Sequence, residues 1–310
     1  MKRAVLLLAH GSPDSVQEIP EFLLQITRGR PLAAEVIAEV QHRYGRIGCS
    51  PLTRLTLEQG RLLSENLGMP VYVGMRNWKP YIAEAVRTMK LDGIERAVVI
   101  CLAPQNSRTS VGLYRAALNL GEETLLEVDF VESWHDHPLL IKAFAEKFLA
   151  GWKQACEEMG ARVPVIFTAH SVPQRTITEG DPYEAQTKET ASLVATAAGL
   201  ASDDWKFSFQ SQGMSGGAWL GPKVEDAILE LREKGHRGVF VQPIGFLCDH
   251  VEVLYDIDIG FRQFAEEQNM RLWRAESLND SKLLTAALAE LARARIGSPV
   301  EMSSEDGWGE

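Results

Sequence analysis

The chain has 310 residues, 45% hydrophobic and 24% charged, the balance of an ordinary globular protein with length for two domains of about 150 residues. Its net charge of −10, with no basic block, excludes the electrostatic footprint of a nucleic-acid binder. Four scattered cysteines (Cys49, Cys101, Cys156, Cys248), with no C-x-x-C pair and no metal-ligand spacing, argue for reduced thiols and against an iron–sulfur cluster.

At the N-terminus, Lys2 and Arg3 before an apolar run imitate a signal peptide, but Ala4 to Ala9 is too short for an h-region and His10-Gly11-Ser12-Pro13 is no cleavage site. No segment reaches the ~18 apolar residues of a membrane span. The expectation is a cytoplasmic chain without an integral membrane segment.

In chain order, apolar runs predict strands at 4–9, 70–74, 97–102, 126–131, 164–168, 206–210, 238–242 and 270–273. Runs apolar throughout mark strands covered on both faces, as in a parallel sheet. Between them, amphipathic stretches including 80–91, 138–157, 183–198, 223–234 and 281–295 predict helices. The alternation argues for an α/β fold with parallel, doubly wound sheets.

The halves repeat one another. VLLLAHGSP (5–13) matches VIFTAHSVP (165–173), LDGIERAVVICLAP (91–104) parallels EKGHRGVFVQPIG (233–245), and VESWHDHPLLIKAF (131–144) parallels AESLNDSKLLTAAL (275–288). We therefore expect two similar Rossmann-like domains, 1–157 and 158–297, followed by a disordered acidic tail, 298–310. His10 and His170 each follow the first strand of a half. Open parallel sheets bind ligands beyond the carboxyl ends of their strands, so both histidines stand where such folds put function.

Seven histidines occur, and a given one is more often structural than catalytic. His135 and His137, in ESWHDHP, read either as a metal pair or as caps of the following helix, and alternate residues in a turn favour capping. In PIGFLCDHVEVLYDID (243–258), a helix begun at Asp249 would align Asp249, Glu252 and Asp256 on one face. Such a face is either a solvated acidic surface or a carboxylate ladder passing a hard divalent cation or protons. One imidazole and one carboxylate are too few for a permanent structural metal site but suit a metal in transit. Neither a Gly-rich phosphate loop nor a G-x-S-x-G elbow is present.

The phrases FTAHSVP…GDPYEAQ (167–186), FQSQG…WLGPKVED (209–226) and PIGFLCDHVEVLYDID resemble the ferrochelatases, as do RYGRIGCSPLTRLTLEQ (43–59) and LAPQNSRTSVGLY (102–114). The likeness covers residues 4 to 296 and is closest to the coproporphyrin III type of Gram-positive bacteria. It implies a class I chelatase fold, with two Rossmann-like domains around a porphyrin cleft, and Fe²⁺ insertion into coproporphyrin III; the alternatives are a protoporphyrin IX ferrochelatase, a cobalt or nickel chelatase and a non-catalytic tetrapyrrole or iron carrier. By position, His170 and Glu252 match the family's paired metal- and proton-handling residues, with Asp256 the next carboxylate. Gly260 stands where the family often has another acid. His10 occupies the place of the coproporphyrin type's tyrosine and is expected to ligate the porphyrin iron axially. Porphyrin-binding positions map onto His10, Thr27, Arg43, Tyr44, Ser50 and Tyr114. Thr27 replaces a common arginine, for which Arg28 could compensate. The implied partners are porphyrin and Fe²⁺ as substrates, with transient contact to neighbouring haem-pathway enzymes and no tightly bound cofactor.

Overall fold

The computed structural model describes residues 1–118, 126–212 and 217–297, so the expected acidic tail lies outside the described residues. Two four-stranded parallel sheets carry the α/β fold. The first comprises β1 (Arg3–Ala9), β2 (Val71–Met75), β3 (Arg96–Cys101) and β4 (Glu127–Val131), in the order β2-β1-β3-β4. The second comprises β5 (Val165–His170), β6 (Trp205–Gln210), β7 (Gly238–Pro243) and β8 (Arg271–Arg274), in the order β6-β5-β7-β8. The repeat seen in the sequence is thus a repeat of topology. Each predicted strand exists, with no end shifted by more than two residues.

In each sheet the chain leaves the first strand for a neighbour on one side and then crosses to the other, so β1 and β5 lie at the point where the winding reverses. Their carboxyl ends carry His10 and His170. Both strands are continuously buried (Ala4 to Ala9 and Val165 to Ala169) because helices cover both faces of each sheet.

The two halves share one core. Helix Pro138–Met159, which follows the first sheet, packs on β7 and β8 of the second, and helix Lys282–Ile296, which ends the second half, packs on β3 and on helix Leu52–Leu67 of the first. Phe148 sits 6.0 Å from Phe167 and 5.4 Å from Phe240, ring centre to ring centre. Val5, Leu7 and Leu63 belong to the same apolar cluster as these rings.

Polar contacts close one side of the junction. Gln105 Nε2 donates to Thr190 Oγ1 (3.1 Å) and to the Ile244 carbonyl (3.2 Å). The Asp181 carboxylate accepts from Ser107 Oγ (3.1 Å), the Arg108 amide (2.7 Å) and the Tyr183 amide (3.0 Å). LAPQNS and GDPYEAQ, far apart in sequence, therefore interlock. Among the described residues no helix is long and apolar enough to cross a membrane.

Asp181→Ala would strand these three donors in a buried place, at a cost of about 3 kcal/mol. The thermal midpoint should fall by several degrees; an unchanged midpoint would show that this contact does not join the halves.

Candidate active site

His10 lies just beyond β1 and is reached by solvent. Its Nδ1 stands 2.9 Å from the carbonyl of Gly11, and its Nε2 is 2.9 Å from Asn77 Nδ2. A carbonyl only accepts, so Nδ1 carries the proton and Nε2 offers its lone pair to the Asn77 amide. Phe22 meets the ring edge-on at 6.0 Å, supported in turn by Tyr44 and Trp78. Gly11 has φ +81°, and a Cβ there would lie 2.9 Å from the Cβ atoms of Met75 and Trp78, so only glycine lets the chain turn away so closely behind His10.

On the other half, His170 closes β5 and the chain re-emerges from β7 into the segment bearing His250 and Glu252. His170 Nδ1 is held by the Ser171 carbonyl and His250 Nδ1 by that of Cys248, at 2.9 Å. Their Nε2 atoms meet the two oxygens of Glu252, each at 3.5 Å. The Glu252 carbonyl accepts from Gln210 Nε2 (2.8 Å), which fixes the short helix Val251–Leu254 against β6. All three imidazoles thus tie Nδ1 to a backbone carbonyl and aim Nε2 into the site.

Electrostatics follow from this arrangement. Burial by itself would raise the Glu252 pKa, but His170, His250 and, across the cleft, His10 outweigh it and hold the carboxyl at about 2. Burial pulls His250 down, yet the hydrogen bond and charge of Glu252, the Cys248 carbonyl and Asp256 leave it above its ordinary value. His10 is lowered, chiefly by burial and further by the cation of Arg76, with the Gly11 carbonyl and Glu252 opposing. Asp256 is raised, first by burial and also by Glu252, against Ser211, Arg43 and His170. His10 and Glu252 feel each other although they come from different halves. Solvent still reaches both, as expected of a slot rather than a sealed core.

The helix from Asp249 that would have aligned three carboxylates on one face does not form. His250 is extended (φ −162°, ψ −176°), the helix starts only at Val251, and from Asp256 the backbone widens into a π-helix, Asp256–Phe261. Asp249 therefore turns away, accepting from Ser277 Oγ (2.7 Å) and Asn279 Nδ2 (2.9 Å). Asp256 remains near the site, accepting from Ser211 Oγ and lying 3.8 Å from Arg43 Nη1. Among the described residues no group of three or more His, Cys, Asp or Glu is placed to hold a metal ion.

The remaining predicted residues divide. Arg43 is engaged by Glu39 (2.8 Å) and lies over the ring of Tyr255 (5.2 Å). Tyr44 is buried, accepts from Ser12 Oγ (3.3 Å), and is pushed up to about 12, mainly by burial. Ser50 and Tyr114 are buried, both in the first half, Tyr114 under the guanidinium of Arg76. The Thr27 hydroxyl is directed at the Leu23 carbonyl (2.9 Å), capping helix Ile19–Ile26, and Arg28 follows with φ +54°. His137 caps helix Pro138–Met159 by accepting from the Leu139 amide (3.3 Å), and His135 turns instead to Glu189 (2.9 Å), so they share no metal position. Of two tryptophans not singled out above, Trp78 is core and Trp219 stands 6.5 Å from the His170 ring.

Sequence reasoning missed His250, Asn77 and Arg76. For His250 a signal existed, since an imidazole two residues before Glu252 can fold back onto it when the backbone is extended. For Asn77 and Arg76 none did, because their positions depend on β2 meeting β1.

A ferrochelatase family model matches residues 2–296. A ferrochelatase of Acidobacterium capsulatum is 56% identical over 310 residues, covering 95% of each chain. A coproporphyrin III ferrochelatase of a Geobacillus species is 36% identical over 309 residues, covering 95% of this chain and 98% of its own. Among solved structures, SirB from Bacillus subtilis with Fe³⁺ superposes with a TM-score of 0.60 at 11% identity, over 94% of this chain and 95% of that one, a likeness of fold.

Because its folded pKa is raised above 6.5, His250 adds stability that is complete below pH 6.5 and fades as pH rises through the folded value. In Glu252→Gln the main raising partner is gone while burial persists, so the His250 ring should titrate lower, as read from its proton resonances. An unshifted titration would separate His250 from Glu252.

Proposed function

The chain belongs to the ferrochelatase family, enzymes that insert metal into porphyrin, and from that premise we propose that it inserts Fe²⁺ into coproporphyrin III, with His170, His250 and Glu252 on one face of the macrocycle and His10 on the other. The observation that carries this reading is a carboxylate kept ionised among imidazoles that all present Nε2 to a solvent-reached cleft. Fe²⁺ enters as a substrate, and the reaction calls for no resident cofactor.

A carboxylate held near pKa 2 attracts a divalent cation but is a poor store for protons. In the proposed sequence the two porphyrin N–H protons pass to the imidazoles, and Glu252 supplies the charge that keeps them there. Glu252 is then less the final proton acceptor than the group that makes His250 basic. One imidazole and one carboxylate, too few for a permanent site, suit an ion that must be handed on.

His10 is proposed as axial ligand of the product iron. Its Nε2 lone pair already points into the cleft, and Asn77 must release it before iron can take it. Arg43, Tyr44, Ser50 and Tyr114, with Arg28 in the place of the missing arginine, are the proposed partners of the substrate carboxylates. Energy from these remote contacts is available to bend the ring and expose its nitrogens. Several donors gathered in the first half favour a substrate with four carboxylates over one with two, and the Geobacillus relative bears the name of that activity.

Anaerobic Fe²⁺ insertion, followed by absorbance, should be faster with coproporphyrin III than with protoporphyrin IX. Preference for protoporphyrin IX would overturn the substrate assignment, and binding of both without insertion would make the chain a carrier. His170→Ala and Glu252→Gln should each lower kcat by about 10²-fold or more; near-normal rates would remove them from the chemistry. In His10→Ala the absorption spectrum of the iron product complex should change, and an unaltered spectrum would rule out axial ligation.

A further inference from the structure

Arg76 follows β2, its amide bonded to the Ala9 carbonyl at 2.9 Å, and so stands beside His10. Its guanidinium carbon lies 5.3 Å from the centre of the Tyr114 ring. Nε is buried and has no hydrogen-bond partner, and among the described residues no carboxylate pairs with this side chain. Other arginines withdrawn from solvent are matched: Arg96 lies 3.8 Å from Asp129, and Arg274 lies 2.8 Å from Asp258. Arg43, the cation to which the sequence pointed, is already engaged by Glu39 and Asp256.

An unpaired guanidinium drawn out of water costs free energy that an anion would return. Burial pulls the Arg76 pKa down, and Arg28 adds a second cation near enough to do the same, with Tyr114 opposing. A guanidinium over the Tyr114 ring, with Nε unpartnered and no carboxylate paired to it among the described residues, can receive a carboxylate. We propose that Arg76 binds a peripheral carboxylate of the tetrapyrrole on the His10 side of the cleft, flanked by Tyr114 and Arg28. This assignment rests on the porphyrin reading above and adds to it an anchor that the motifs had not indicated. The unmatched charge is then a cost kept in the free protein for the sake of the substrate.

The test compares wild type, Arg76→Met and Arg76→Lys in binding coproporphyrin III, protoporphyrin IX and the carboxylate-free etioporphyrin, by tryptophan fluorescence quenching in one detergent buffer. Arg76→Met should weaken coproporphyrin III at least tenfold, leave etioporphyrin within twofold, and melt no lower than wild type because an unpaired cation has been removed. Arg76→Lys should recover part of the affinity. Equal losses for all three porphyrins, no loss for coproporphyrin III, or a melting point lowered by several degrees would each overturn the role of Arg76. If wild type bound none of the porphyrins, the reading beneath the proposal would fall as well, an outcome distinct from intact wild-type binding with an indifferent Arg76→Met.

Discussion

Phe148 belongs to a helix that follows the first sheet, yet its ring is packed among Phe167 and Phe240 of the second. Helix Lys282–Ile296 makes the converse crossing, onto β3 and helix Leu52–Leu67. Through this exchange the halves cannot part without opening a common apolar core, which is the most expensive thing a folded chain can do. Everything in the cleft depends on it. The carboxyl ends of β1 and β5 are held near each other, so His10 and Glu252 interact although their segments come from different sheets.

Given that frame, the chemistry of the cleft follows from few choices. Backbone carbonyls of Gly11, Ser171 and Cys248 take one nitrogen of each imidazole, so the sequence need not spend side chains on setting the tautomers. Gly245 allows the segment leading to Cys248 to pass the end of β5, where a Cβ would lie 2.9 Å from that of Ala169. The second half concentrates negative charge and imidazoles, and the first half concentrates cations and hydroxyls.

Much of the fold was legible in the sequence because the strands are buried on both faces and read as unbroken apolar runs. Val5 to Leu8 and Val165 to Phe167 are clear cases, and the repeated A-H phrase disclosed the duplicated topology. The exchange of helices between halves was not legible, since an amphipathic pattern shows that a face is covered but not by which sheet. At the site, His170 and Glu252 could be named from a likeness of motifs, and the structure brings them to 3.5 Å. Asp249 misled because regular helical spacing was assumed across a segment that is extended at His250 and π-helical after Tyr255. Arg76 and Asn77 lay hidden because their meaning comes from a neighbouring strand, and from partners that are absent in one case and present in the other.

The central claim is that the macrocycle lies between His10 and the Glu252 cluster, with the two on opposite faces. A crystal structure of the chain with iron coproporphyrin III tests it most directly. The ring is expected in the cleft, with His10 Nε2 on the iron, Asn77 displaced, and His170 and Glu252 over the other face. A ring bound outside the cleft, or one with His10 and Glu252 on the same side, would contradict it.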